Sequence, residues 1–155
     1  TFTVEDLACG IVKFDNGATL LVDCYNANPE SMGLALETLA RWPGATRRIA
    51  ALGDMLELGK NAVEEHKRIG EEIASSGARY LLTYGPLSLH THEAATRAQK
   101  FHYEQKAALV EHLFGLISPG DVVLIKGSRG MKMEEVVAFI TERFKISKTT
   151  PDQAA

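Results

Sequence analysis

The chain has 155 residues, 45% of them hydrophobic and 24% charged, with a formal net charge of -3. That size suits one compact domain with a single core, read as residues 1–155 with a polar tail at 146–155. The lysines and arginines are scattered rather than striped, so nucleic acid is not expected as a partner. Two cysteines, Cys9 and Cys24, are too few for a disulfide framework and lack zinc-site spacing, which fits a reducing cytoplasm. No apolar run approaches the roughly 20 residues needed to span a membrane, and no secretory leader is recognised, so membrane insertion is not expected either. The opening "TFTVEDLACG" without methionine and the polar ending read as a domain cut from a longer chain.

In chain order, "IVKFDNG" and "ATLLVD" read as a hairpin turning at Asp15-Asn16-Gly17. Asn28 before Pro29 is a helix start, and Met32, Leu36 and Leu39 carry that helix to about Trp42. "RRIAALGDM" is a buried strand ending at Gly53. Val63, His66, Gly70 and Ile73 then mark a helix that stops at Gly77. "RYLLTYG" is a further strand, "SLHTHEAATRA" is too weakly patterned to assign, and "KFHY" is a short strand. Val110, Phe114 and Ile117 define a helix, "DVVLIKGS" the last strand, and Met133, Val136, Val137, Ile140 and Phe144 a closing helix.

Strands and helices thus alternate after the hairpin. The fold class expected is α/β and Rossmann-like, a mostly parallel sheet with helices on both faces and an N-terminal hairpin strand. Ligands of such sheets meet the loops at the carboxyl ends of the strands, which puts "DCYNANP", "LGDMLELG", "TYGPLS" and "KGSRG" along one edge.

Each loop admits two readings. In "KGSRG", Gly127 and Gly130 flank Ser128 and Arg129 ahead of a helix, a place where backbone N–H groups and a guanidinium can hold an anion, with Lys126 adding charge. The plainer alternative is a glycine turn with a solvated arginine. In "DCYNANP", Asp23 and the amides of Asn26 and Asn28 can bond ribose hydroxyls or phosphate oxygens, and Tyr25 can stack on a base. Alternatively Asn28 only caps the helix and Asn26 fills a turn. Asp54 and Glu57 could face a ligand ammonium or magnesium, or simply water. His66 reads as a satisfied core histidine, His90 and His92 as an HxH in a polar loop, and Asp121 as a turn residue. The order Lys-Gly-Ser is not a P-loop, no GxGxxG follows the first strand, and no nucleophile with a paired base stands out. The residues alone describe a binding lobe for an anionic small molecule, without chemistry of its own.

Taken together, "DCYNANPESM", "LGDMLELG", "EEHKRIG" and "KGSRGMKMEEVV" resemble the carboxyl-terminal domain of the Mur ligase family, from about Gly10 to Phe144. The loops are most similar to members that add D-alanyl-D-alanine to UDP-N-acetylmuramoyl-tripeptide in peptidoglycan precursor synthesis. The resemblance implies a cytoplasmic ligase using ATP and magnesium, whose amino-terminal and central ATPase domains are absent from this chain. It also implies an acyl phosphate on the tripeptide, attacked by the dipeptide amine. By the same resemblance Asp23, Tyr25, Asn26 and Asn28 approach ATP, Ser128 and Arg129 meet the dipeptide carboxylate, Lys126 helps either group, and Asp54 and Glu57 are more remote candidates beside the incoming dipeptide. No catalytic or metal-binding residue is assigned to this domain, which alone is expected to be inactive. One departure is "LACGIV", where the family usually has a Gly-Arg hinge and this chain has Cys9, so the hinge contact to nucleotide is not implied. Another Mur-type or folylpolyglutamate-type ligase, and a stand-alone Rossmann-like binding module, stay open as alternatives.

Overall fold

The computed structural model describes residues 9–147. The segment ahead of Cys9, the side chain of Cys9 and most of the expected tail lie outside the described residues, so the hinge expectation is not addressed there.

The hairpin forms as read. Strand β1 (Cys9–Lys13) pairs antiparallel with β2 (Thr19–Asp23). Helix α1 (Pro29–Arg41), strand β3 (Arg48–Gly53), helix α2 (Ala62–Ser76) and strand β4 (Ala78–Tyr84) follow. Helix α2 stops at Gly77, whose φ of 74° is a left-handed conformation that favours glycine. Then come helix α3 (Ser88–Ala94), strand β5 (Gln99–Tyr103), helix α4 (Lys106–Leu116), strand β6 (Val122–Lys126) and helix α5 (Glu134–Thr141). The six strands lie in the order β1-β2-β6-β3-β4-β5, parallel except for the β1–β2 pair.

Alternation along the strands splits the core between the two faces of this sheet. Leu20, Val22, Ile49, Ala51, Val123 and Ile125 meet Leu109, Leu113, Val136 and Ile140 of α4 and α5. Leu21, Ala50, Leu52, Val122 and Leu124 meet Met32, Leu36, Leu39, Ile69 and Ile73 of α1 and α2. Central β6, buried along its whole length, serves both halves, which is why it reads as a continuous apolar run.

Two segments differ from the sequence reading. Residues 146–147 are not tail: Ile146 pairs with Phe14 in an antiparallel bridge, and the Ser147 N–H donates to Lys13 O at 2.7 Å. Residues 88–94 form α3 rather than a polar loop. No side-chain cap and no clear apolar period announce α3, because its order comes from packing on α2. There the Thr91 hydroxyl donates to the His66 carbonyl at 2.9 Å.

Asp121 does more than turn the chain. Its carboxylate is fully buried, accepts the Ser118 N–H at 2.8 Å, and takes both Nε (2.9 Å) and Nη2 (2.7 Å) of Arg47. The same guanidinium donates to Leu116 O at 2.7 Å and packs 5.2 Å from the centre of the Tyr80 ring. The hydrogen bond to Asp121 is the main reason the Arg47 pKa lies above its ordinary value. Replacing Asp121 by Asn leaves the half-buried guanidinium without its counter-charge. Urea denaturation is expected to show a loss of about 2 kcal/mol; an unchanged midpoint would contradict this account.

On the β5 side, His92 of α3 and His102 of β5 lie with ring centres 5.8 Å apart, and His102 Nδ1 is 2.8 Å from the Thr83 hydroxyl. Burial lowers both pKa values, reinforced at His92 by Lys100 and His102 and opposed at His102 by Asp54. The unfolded chain therefore takes up protons at these positions before the folded one does. Stability is fully present above about pH 6.5, the unfolded value, and falls as pH drops through the lower folded values. Urea midpoints measured from about pH 7.5 down to about 5.5 should fall for the parent chain and stay flatter for His92→Gln/His102→Gln.

Candidate functional site

Strand register brings the expected loops to one edge. Asp23 lies level with Lys126, Lys126 with Leu52, and Gly53 with Tyr84, so the segments that leave β2, β6, β3 and β4 emerge side by side.

The first group of polar residues holds these loops together. Lys126, placed by the sequence among the ligand contacts, is fully buried. Its ammonium forms an ion pair with Asp23 and donates to the Asn26 carbonyl at 2.8 Å. The reason is its place at the end of the central strand, under the β2 loop, where an ammonium removed from water requires such partners. Ser128 is likewise drawn inward: its hydroxyl accepts the Leu56 N–H at 2.8 Å and donates to Ala27 O at 3.2 Å. Its own N–H donates to Asp54 O at 2.9 Å. One serine thus ties the β6, β2 and β3 loops, and its proton is committed to protein rather than to a carboxylate ligand.

Asn28, expected both to cap a helix and to approach ATP, spends its side chain on the cap. Its Oδ1 accepts the Ser31 N–H at 2.8 Å, and its own N–H donates to the Ser31 hydroxyl at 3.0 Å. The reciprocal pair is a capping box built on serine, with Pro29 as the first helical residue.

Asp54 is turned inward. Only 1% exposed, its carboxylate accepts the N–H groups of Leu87 (3.2 Å) and Ser88 (2.7 Å), fixing the β4–α3 connection. Glu57 is exposed at the tip of the β3 loop with a φ of 64°. His66 is the satisfied core histidine anticipated: Nε2 accepts the Met55 N–H at 3.0 Å, and Nδ1 donates to Ala62 O at 2.6 Å. His90 and His92 stand on α3, and no group of three or more His, Cys, Asp or Glu side chains placed to hold a metal occurs among the described residues.

The second group faces outward. Tyr25 is 59% exposed, and the Arg129 guanidinium carbon lies 4.9 Å from the centre of its ring, a cation–π pair joining the β2 and β6 loops. Asn26 is exposed beside them, and the Asp23 side chain keeps 38% exposure despite its ion pair. An aromatic face, an amide, a carboxylate and a planar cation therefore share one rim. That set can stack a ring, bond hydroxyls and grip an anion. The sequence missed Lys106, whose ammonium reaches the turn after Arg129. The signal available was a lysine in the first turn of a helix, where positive charge opposes the helix dipole.

A family model described as the Mur ligase, glutamate ligase domain matches residues 9–129. The UDP-N-acetylmuramoyl-tripeptide–D-alanyl-D-alanine ligase of Bacillus subtilis is 35% identical over 143 residues, covering 90% of this chain and 31% of the relative. The ligase of the same name from Escherichia coli is 39% identical over 133 residues, covering 84% and 28%. Among solved structures, MurF ligase from Thermotoga maritima in complex with ADP superposes with a TM-score of 0.75 at 25% identity, over 88% of this chain and 30% of that one. MurF from Acinetobacter baumannii gives 0.77 at 27%, again over 88% and 30%. The chain therefore spans roughly a third of the length of these relatives, in agreement with the 31% and 28% above. With a family model matched across the sheet and the edge loops up to Arg129, and relatives of one name over most of its length, the chain belongs to the Mur ligase family, in its carboxyl-terminal, glutamate ligase domain.

Proposed function

We propose that this chain is the carboxyl-terminal domain of a cytoplasmic, ATP-dependent ligase that joins D-alanyl-D-alanine to UDP-N-acetylmuramoyl-tripeptide, its partners being the amino-terminal and central domains of the same protein. Residues from about 10 to 147 would form that domain, closing over ATP and receiving the dipeptide. Support comes from the names of the relatives and from the ADP bound by the Thermotoga maritima neighbour. The observation that carries the reading is the rim itself: Tyr25, Asn26 and Arg129 stand exposed on loops whose other polar groups are consumed in holding them.

In the reaction, a tripeptide carboxylate oxygen attacks the γ-phosphorus of ATP and ADP leaves. The dipeptide amine then attacks the resulting acyl carbon, loses a proton, and phosphate departs. Magnesium would be held by the central domain. On this chain, the Tyr25 ring offers a stacking face for the base, and Asp23 and the Asn26 amide offer acceptors and donors to the ribose and phosphates. The pairing of Asp23 with Lys126 fixes the carboxylate in place and offsets its repulsion of the nucleotide's phosphates. Arg129 matches the dipeptide carboxylate as a two-pronged donor and brings positive charge to the rim. Lys126, Ser128, Asn28 and Asp54 hold these groups rather than touching substrate, and Glu57 stays a more distant candidate for the incoming ammonium.

In the full-length ligase carrying this chain, Arg129→Ala should raise KM for D-alanyl-D-alanine by about tenfold or more, and Tyr25→Ala should raise KM for ATP by several-fold. A parental KM for the dipeptide in Arg129→Ala would sink the assignment of Arg129. Turnover with a single amino acid in place of the dipeptide would sink the substrate reading.

A further inference from the structure

Lys106 opens α4, and no acidic residue accompanies it in the first turn. Its ammonium serves a different element. It donates to the carbonyls of Met131 (3.1 Å) and Lys132 (3.2 Å) and forms an ion pair with Glu135. It also lies 5.7 Å from the centre of the Tyr84 ring. Three partners use all three donors of an ammonium, and the side chain is only 18% exposed, so it has no donor to spare for a ligand.

Both carbonyls belong to the turn that carries Arg129. Residues Arg129–Met131 form a single 3-10 turn, closed by Met131 N–H to Ser128 O (2.8 Å) and Lys132 N–H to Arg129 O (3.1 Å). The chain leaves it through Lys132 at a φ of 51°, a left-handed conformation that a residue with a Cβ adopts at a cost. One such turn does not sustain itself and takes its shape from what grips it. Ser128 grips its start. On its flank Gly130 meets Leu56 so closely that a Cβ would stand 2.9 Å from Leu56 Cδ1. Lys106, from the first turn of α4, grips its end.

We propose that Lys106 is a positioning residue for Arg129: by holding the Met131 and Lys132 carbonyls it fixes the direction in which the guanidinium is presented to the carboxylate of the incoming dipeptide. This rests on the reading of Arg129 as the carboxylate ligand. Two-pronged recognition depends on the plane of the guanidinium, so a loosened turn weakens capture of that substrate while leaving the nucleotide contacts of the β2 loop in place.

The test compares the parent, Lys106→Met, Lys106→Arg, Arg129→Ala and Lys106→Met/Arg129→Ala in the full-length ligase. Lys106→Met is expected to raise KM for D-alanyl-D-alanine by about fivefold to tenfold, with kcat and KM for ATP within about twofold. Lys106→Arg should recover part of the loss. The double variant should be no worse than Arg129→Ala, since Lys106 acts through Arg129. Amide hydrogen exchange should quicken at residues 130–133 in Lys106→Met, with the remaining strands unchanged. Should Lys106→Met fail to fold, Lys106→Gln takes its place. A parental KM in Lys106→Met beside a raised one in Arg129→Ala overturns the proposal alone, as do losses that multiply in the double variant. A parental KM in Arg129→Ala overturns the carboxylate reading with it, although the exchange result still reports whether Lys106 holds the turn.

Discussion

At the end of the central strand, the Lys126 ammonium sits where no water reaches it, paired with the Asp23 carboxylate and the Asn26 carbonyl. An isolated charge in that environment would be too costly to keep, so the partners are required and not optional. Since Asp23 ends β2 and Asn26 lies in the loop after it, the requirement draws that loop down onto β6 and fixes its path. The β2 side of the rim inherits its position from this contact, the Asp23 carboxylate directly and Tyr25 and Asn26 through the backbone between, and the Tyr25 ring in turn meets the Arg129 guanidinium.

Around that pair, the structure separates polar groups that hold from polar groups that present. Ser128, Asn28, Asp54 and His66 turn inward, and each satisfies backbone N–H or C=O groups of loops that the sheet's ladders do not reach. Tyr25, Asn26 and Arg129 turn outward from loops made rigid in this way. A binding rim gains from that division, because a guanidinium or a ring is useful only when its plane is held, and loops by themselves hold planes poorly.

Much of this was legible in the amino-acid order. The buried strands announced themselves as apolar runs, Asn28-Pro29 and Gly77 marked helix ends, and the carboxyl-edge rule placed the right four loops together. Helix α3 was not legible, since residues 88–98 carry neither an apolar period nor a side-chain cap and gain their order from contact with α2. Ile146 was missed for a similar reason: a lone bridge to Phe14 leaves no local pattern. At the site, Asn28 was read correctly as a cap, whereas the inward bonds of Lys126, Ser128 and Asp54 were not foreseen, because polar residues in edge loops look alike whether they face inward or outward.

What the sequence by itself determined is therefore the set of elements, their order and the group of loops that share an edge, all of which follow from local periodicity and turn chemistry acting over a few residues. What only the tertiary structure decided is the direction each polar side chain takes. Lys126 meets Asp23, Ser128 meets Ala27 and Leu56, and Lys106 meets Met131 across separations of 25 to 103 residues. Such contacts are set by desolvation and hydrogen-bond demand after the sheet has closed, and no local pattern in the chain encodes them.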